Sequence, residues 1–286
     1  MTLTTSRIDA DALRAWVGRT ETLDEEIVAA SVRGLAATLD LKAAPQPGDE
    51  LPPLWHWMFF ATRAPQSQLG GDGHPKLGGF MPPVPLSRRM WAGGRLEWLA
   101  PLRVGDMATR VSRIAAIEHK AGRSGDLVFV TVRHEVSARG QLALTEEHDI
   151  VYRAPAQPGD PVPQPQPAPT DAAWSREVRA NAVMLFRYSA LTFNGHRIHY
   201  DRSYAAEVEG YPGLVVHGPL IATLLAGLAQ ENRPGARLRR FDFKAVRPVF
   251  DMDAFRICGK PDGKMANLWA QDHEGWLTMR AEAHFE

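Results

Sequence analysis

A single cysteine, Cys258, stands in 286 residues, so neither an internal disulfide nor a multi-cysteine metal site can form. Neither sign of charge is in excess, with 33 Lys and Arg against 33 Asp and Glu, which removes a broad electrostatic case for nucleic acid or an anionic membrane as partner. No apolar run reaches the length of a membrane span, because the longest, Gly213 to Ala229, is interrupted by His217, Gly218 and Pro219. Residues 1–9 lack a basic segment followed by an apolar core, so no secretory signal is expected. A Walker loop, a Gly-x-Gly-x-x-Gly fingerprint, a His-Glu-x-x-His pair and a Gly-x-Ser-x-Gly elbow are all missing. What remains is a cytoplasmic protein of ordinary globular composition, 44% hydrophobic, with length for two domains of roughly 130 residues.

Proline marks the boundary. Residues 154–170 read APAQPGDPVPQPQPAPT, seven of seventeen being proline, and such a stretch favours an extended polyproline path of roughly 50 Å. It predicts a linker between a first domain, residues 1–153, and a second, residues 171–286. In the first, Thr22 and Glu25 form a Thr-x-x-Glu capping box ahead of Ile27, Val28, Ser31, Leu35 and Leu39 at helical spacing, which predicts an amphipathic helix after a shorter one around Asp11 to Val17. Leu51 to Gly94 is Pro- and Gly-rich and reads as irregular, with a buried knot at Leu54 to Phe60. Met107 to Ile114, Leu127 to Val136 and Leu142 to Tyr152 are β-rich runs bounded by turn residues, the pattern of a curled antiparallel sheet.

The second half repeats the plan. Arg95 to Met107 aligns without a gap on Arg240 to Met252, with five positions identical, an internal duplication. Val178 to Leu191 has helix-compatible spacing, and Asp201 is placed to cap a short helix running to Glu209. A further helix opens at Gly218-Pro219, where proline loses no hydrogen bond. It is apolar on every side and must therefore be wrapped. A wrapped helix followed by a curling antiparallel sheet describes a hot-dog fold, and two in one chain make an α+β double hot-dog.

Chemistry concentrates in Thr192 to Asp201, where Asn194, His196 and His199 fall within six positions. Gly70-Gly-Asp-Gly73 is phosphate-friendly in composition but precedes His-Pro rather than a helix, and reads as a loop. A solitary histidine in a loop is more often structural than catalytic. Cys258 reads as a small core residue.

Asn194-Gly-His-Arg-Ile-His-Tyr-Asp201 and Tyr211-Pro-Gly-Leu-Val-Val-His-Gly-Pro-Leu220 resemble the signature of the MaoC-like, (R)-specific enoyl-thioester hydratase family. Leu51 to Trp57, Gly78 to Leu86 and Arg89 to Gly94 extend the likeness to its subgroup of mesaconyl-C4-CoA hydratases and hydroxyacyl-thioester dehydratases type 2. The resemblance implies reversible hydration of an enoyl-CoA, with His199 at the position of the family's catalytic His. The family's catalytic Asp falls on Asn194, which cannot take a proton. His199 would then be the base, Asn194 orienting the water through its carbonyl. Gly218 or Leu220 would donate to the thioester oxygen at the helix start. His196, His217, Arg197 and Asp201 are supporting candidates, with His217 packing or capping the helix. Trp55, Trp57 and Phe60 are candidates for an acyl pocket supplied by a first half without a counterpart of the catalytic pair. No metal or cofactor is implied beyond the CoA of the substrate. The fold leaves room for a homodimer of such chains without requiring one, and Arg88, Arg89 and Arg197 are available for a dicarboxylic acyl group. The rivals are a hot-dog thioesterase, which the lack of an acid at 194 disfavours, and a non-catalytic acyl-thioester binding protein.

Overall fold

The computed structural model describes residues 8–122, 125–155 and 164–286; the middle of the expected linker, 156–163, and the turn residues Arg123 and Ser124 lie outside the described residues. Before the proline-rich stretch come β1 (Thr20–Glu26), β2 (Arg88–Trp98), β3 (Met107–Gly122), β4 (Gly125–Ala138) and β5 (Gln141–Arg153). After it come β6 (Trp174–Val178), β7 (Leu238–Ala245), β8 (Phe255–Asp262), β9 (Met265–Gln271) and β10 (Leu277–Phe285). All ten join one antiparallel sheet in the order β1-β3-β4-β5-β2-β7-β10-β9-β8-β6. Along β4 the alternation of Val128, Val130, Val132, His134 and Val136 turns one face inward, the period of two that a half-buried strand requires.

The two halves meet where β2 pairs with β7, and the register there reproduces the duplication. Arg95 lies opposite Asp242, Leu96 opposite Phe241, and Glu97 opposite Arg240. Leu96 and Phe241 are equivalent in the aligned repeat, so a local twofold axis passes between them and each half presents the same segment to the other. Arg240 reaches Glu97 at 3.1 Å across the junction, while Leu96 and Phe241 beneath it are fully buried.

The α-helices among the described residues are α1 (Ala10–Arg14), α2 (Ala29–Thr38), α3 (Ala182–Leu191) and α4 (Gly218–Glu231). As its all-round apolarity requires, α4 is wrapped: Leu220 to Ala226, Leu228 and Ala229 are buried against β7, β8, β9 and β10. The knot at 54–60 is a single 3-10 turn, Trp55–Met58, with Trp55, His56 and Met58 buried. No helix among the described residues is long and apolar enough to cross a membrane.

The Thr22–Glu25 pattern does not open a helix. These residues lie in β1, which alternates exposed and half-buried positions and pairs with β3 at all seven residues. Cross-strand pairing outweighs the local capping preference. The Glu25 carboxylate instead accepts the Phe60 N–H at 2.7 Å. The helix begins later, at Ala29, and buries Val32, Leu35 and Ala36. Likewise Val178 ends a strand, and α3 starts only after Asn181, whose side chain accepts the Met184 N–H at 3.0 Å.

Leu96→Ala removes the side chain on the local axis and should cost about 2–5 kcal/mol of stability, measured by urea unfolding; a loss below 1 kcal/mol would show that the junction is not part of the cooperative core.

Candidate active site

The end of α3 shapes the loop that carries the polar residues. Phe193 turns through a left-handed conformation at φ 50°, and the Asn194 N–H closes back onto the Ser189 carbonyl at 2.9 Å. Asn194 Oδ1 accepts the His196 N–H at 3.0 Å, a local Asx turn of the kind asparagine favours. Its carbonyl, expected to hold water, is therefore engaged in the turn, and the NH2 end is left for a water or substrate oxygen. Asp201 Oδ1 accepts the Tyr204 N–H at 3.1 Å at the start of a π-helical turn, Tyr204–Val208. Its Oδ2 accepts from Arg197 at 2.7 Å. Arg197 is thus a clamp inside the loop, also donating to the Gly71 carbonyl at 2.9 Å.

His199 is buried, with Nδ1 2.7 Å from the Val215 carbonyl. A carbonyl only accepts, so Nδ1 carries the hydrogen and Nε2 the lone pair. Burial, opposed by that hydrogen bond, lowers its pKa to about 4, and the ring is neutral at pH 7. One face stacks on His217, centroids 3.7 Å apart and planes 19° apart. His217 is the residue immediately before α4, but its side chain makes no capping bond. Its Nε2 lies 2.8 Å from Ser189 Oγ, and its Nδ1 is buried without a partner. His217 therefore packs, and in doing so stacks the His199 ring on the residue that precedes α4. There Ile221 N–H bonds to the His217 carbonyl at 3.1 Å. Ahead of it, the N–H groups of Gly218 and Leu220 point the positive end of the helix dipole outward. A Cβ at Gly218 would meet only Met279 Cε, at 3.9 Å, which leaves an approach for a ligand oxygen.

The first half reaches into this site through the Gly70–Gly73 loop and His74. Gly73 has φ +89°, and a Cβ there would lie 1.9 Å from the Gly195 carbonyl oxygen; only glycine admits this contact. The Asp72 carbonyl accepts the Arg197 N–H at 2.9 Å. The docking brings His74 to 4.2 Å from His196 between ring centroids, and His196 stands edge-on to His199 at 5.5 Å. The Asp72 carboxylate takes the His74 ring at 3.1 Å and its N–H at 3.0 Å. Burial would raise the Asp72 carboxyl, yet these bonds outweigh it and hold the group below its ordinary range. Burial, followed by the neighbouring His74 and His199, pushes His196 down to about 2. Asp72, His74 and His196 bring metal-ligand atoms within 4.8 Å of one another, but the Arg89 guanidinium beside them disfavours a further cation. The signal available in the sequence was Gly-Asp-Gly-His, a pair of turn glycines around a carboxylate and an imidazole.

Trp55 and Phe60 are buried in the core. Trp57 sits apart from the loop, edge-on to Trp91 at 4.9 Å, with its Nε1–H on Glu146 Oε1 at 2.7 Å. Glu146 also accepts from His56 at 2.8 Å and from His148. Burial works to raise its pKa, but the two imidazoles outweigh burial and keep it well below normal. The sequence signal for this second polar centre is the alternation of Glu146 and His148 on one strand, with Glu146 opposite His134.

The sequence matches the family described as hydroxyacyl-thioester dehydratase type 2 over residues 54–251. It is 49% identical to the mesaconyl-C(4)-CoA hydratase of Chloroflexus aurantiacus over 93% of this chain and 95% of that one. It is 28% identical to the mitochondrial hydroxyacyl-thioester dehydratase type 2 of Schizosaccharomyces pombe, over 77% of this chain and 80% of that one. Among solved structures, a MaoC-like dehydratase superposes with TM-score 0.70 at 16% identity, covering 95% of this chain and 98% of that one. A Mycobacterium tuberculosis protein described as having a double hot-dog fold superposes with TM-score 0.57 at 13% identity, covering 94% and 96%. The fold is the double hot-dog that the wrapped helix α4 and the repeated strand-rich halves imply.

Burial lowers the pKa of His74, His134, His196, His199 and His217. The unfolded chain binds these protons first as pH falls through 6.5, so the stabilisation is complete above that pH and lost below it, at up to about 1.4 kcal/mol per group per pH unit. The thermal midpoint should fall steeply between pH 7 and pH 5 in calorimetry; a flat profile across that window would contradict neutral burial.

Proposed function

The chain belongs to the hydroxyacyl-thioester dehydratase type 2 family, and we propose on that footing that it reversibly hydrates an α,β-unsaturated acyl-CoA to the 3-hydroxyacyl-CoA, with mesaconyl-C4-CoA as first choice. The likeness to the Chloroflexus aurantiacus hydratase along nearly the whole of both chains supports that choice. One observation carries the catalytic reading: His199 is held as the Nδ1–H tautomer with its ring stacked against the residue that opens α4. That tautomer leaves the lone pair on Nε2, which supports a role as base.

Water addition needs a base for the water and a donor for the oxygen that gains charge. His199 Nε2 takes a proton from the water as its oxygen bonds to the β-carbon. The C=C π electrons move toward the thioester carbonyl, whose oxygen is met by the N–H groups of Gly218 and Leu220. The imidazolium then returns its proton to the α-carbon, and the thioester bond stays intact. Asn194 holds the water oxygen from its NH2 end. Nothing in this sequence of steps requires a carboxylate at position 194. A cytoplasmic location belongs to the same reading, supported by the lone buried thiol, Cys258.

Loss of the enoyl-thioester absorbance, followed together with free thiol, tests the reaction. Absorbance loss without thiol is expected. Thiol release would replace the hydratase by a thioesterase, and neither signal would leave a binding protein. His199→Ala should lower kcat by about 10²- to 10⁴-fold while circular dichroism stays native, and Asn194→Asp should keep part of the activity. Full activity in His199→Ala removes it as the base. Because the His199 pKa lies at about 4, kcat/KM of the wild type should show no inflection near 6.5 and should decline only as pH falls toward 4. An acid limb centred near 6.5 would contradict the buried, neutral base.

A further inference from the structure

A base that becomes a cation in a buried site gains from an anion within electrostatic reach. Three carboxylates around the His199 loop are taken up by arginines: Asp201 by Arg197 at 2.7 Å, Glu209 by Arg88 at 3.1 Å, and Asp251 by Arg202. Asp72 differs, because its partner is an imidazole. Its Oδ2 lies 3.1 Å from His74 Nδ1, and its Oδ1 accepts the His74 N–H at 3.0 Å. The Arg89 guanidinium acts on it from beyond ion-pair distance.

A row of rings leads from this carboxylate to the base. An ionised carboxylate only accepts, so His74 carries its hydrogen on Nδ1 and keeps its lone pair on Nε2. Its ring lies 4.2 Å from that of His196, and His196 stands at 90° to His199 at 5.5 Å. The row is fixed at its origin: Gly73, between Asp72 and His74, abuts the Gly195 carbonyl, and the Asp72 carbonyl holds the Arg197 N–H at 2.9 Å. These spacings put carboxylate and base on the order of 10 Å apart, where at an effective dielectric of about 20 a unit charge favours imidazolium formation about 10-fold.

We propose that Asp72 is a positioning residue for the hydration, whose negative charge, supplied by the first half and held by His74 and His196, stabilises the cation that His199 becomes on taking the proton of water. This role rests on the hydratase reading and adds to it a group from the half that lacks a counterpart of Asn194 and His199. Asp72 touches neither the base nor the reacting carbons. The distance has a chemical use: a carboxylate in direct contact would hold the imidazolium firmly, whereas one set back behind two rings eases proton uptake without opposing the return of the proton to the α-carbon. The base and its counter-charge thus come from different halves, and docking of the two loops brings them together.

The test measures kcat and KM for mesaconyl-C4-CoA in the wild type, Asp72→Asn, Asp72→Glu and the double variant Asp72→Asn/Asn194→Asp. Asp72→Asn keeps an acceptor for the His74 N–H and removes the charge, so kcat should fall about 10-fold with KM changed less than about 2-fold. Asp72→Glu, which restores the charge, should recover part of kcat. Adding Asn194→Asp to Asp72→Asn should raise kcat above that of Asp72→Asn alone, because it returns a negative charge to the neighbourhood of the base by another route. A residue that only braced the loop would gain nothing from a charge at position 194. Wild-type kcat in Asp72→Asn, a loss confined to KM, or no gain in the double variant overturns the role of Asp72 while the hydratase stands. A wild type that leaves mesaconyl-C4-CoA unchanged overturns both. Should Asp72→Asn fail to fold, Asp72→Ser, alone and with Asn194→Asp, decides in the same directions.

Discussion

The contact between the backbones of Gly73 and Gly195 is the constraint on which the site depends. Two loops from opposite halves of the chain touch with no side chain between them, and a single methylene on Gly73 would occupy the position of the Gly195 carbonyl oxygen. That proximity seats the Asp72–His74 pair on His196, fixes the Arg197 N–H on the Asp72 carbonyl, and leaves His199 to stack on His217. The polar residues of the site are arranged by backbone contact first and by their own hydrogen bonds second. Packing of this kind tolerates little displacement, because neither backbone can yield as a flexible side chain would.

Electrostatically the site is quiet. Its histidines are neutral, His199 and His217 buried and His74 and His196 half-buried, so the developing charge of a reaction meets oriented N–H groups rather than mobile counter-ions. Arg89, opposite Tyr152 in the β2–β5 register, lies at the edge of this zone. A base of low proton affinity is compatible with this setting. Dry surroundings strengthen the dipoles at the start of α4, and the imidazole needs to hold its proton only until the α-carbon accepts it.

Much of this was legible in the sequence, and the exceptions share a cause. Helix α4 was readable because proline at its start and apolarity on every side are local properties with one structural outcome. The duplication was readable because Arg95 to Met107 and Arg240 to Met252 keep their order without a gap, and the same order sets the β2–β7 register. The Thr22–Glu25 box misled because a strand partner more than eighty residues away decides the conformation of that segment. Asp72 and His74 were invisible as site residues for the same reason: their importance arises from a loop 120 residues further on. The Glu146 centre, with His56 and His148, escaped notice because a glutamate in a strand is ordinarily solvated, and only the curl of the sheet turns this one inward.

The pairing of β2 with β7 about a local axis carries an evolutionary implication. In an assembly of two identical subunits every substitution appears twice, so a residue that improves one face must be tolerated on the other. Fusion of the repeats into a single polypeptide lifts that restriction while keeping the seam that a dimer would have used. One copy was then free to specialise in proton transfer around His199, and the other to accumulate the buried acid of Glu146 and the Asp72–His74 pair, features that a symmetric ancestor would have been obliged to carry in duplicate.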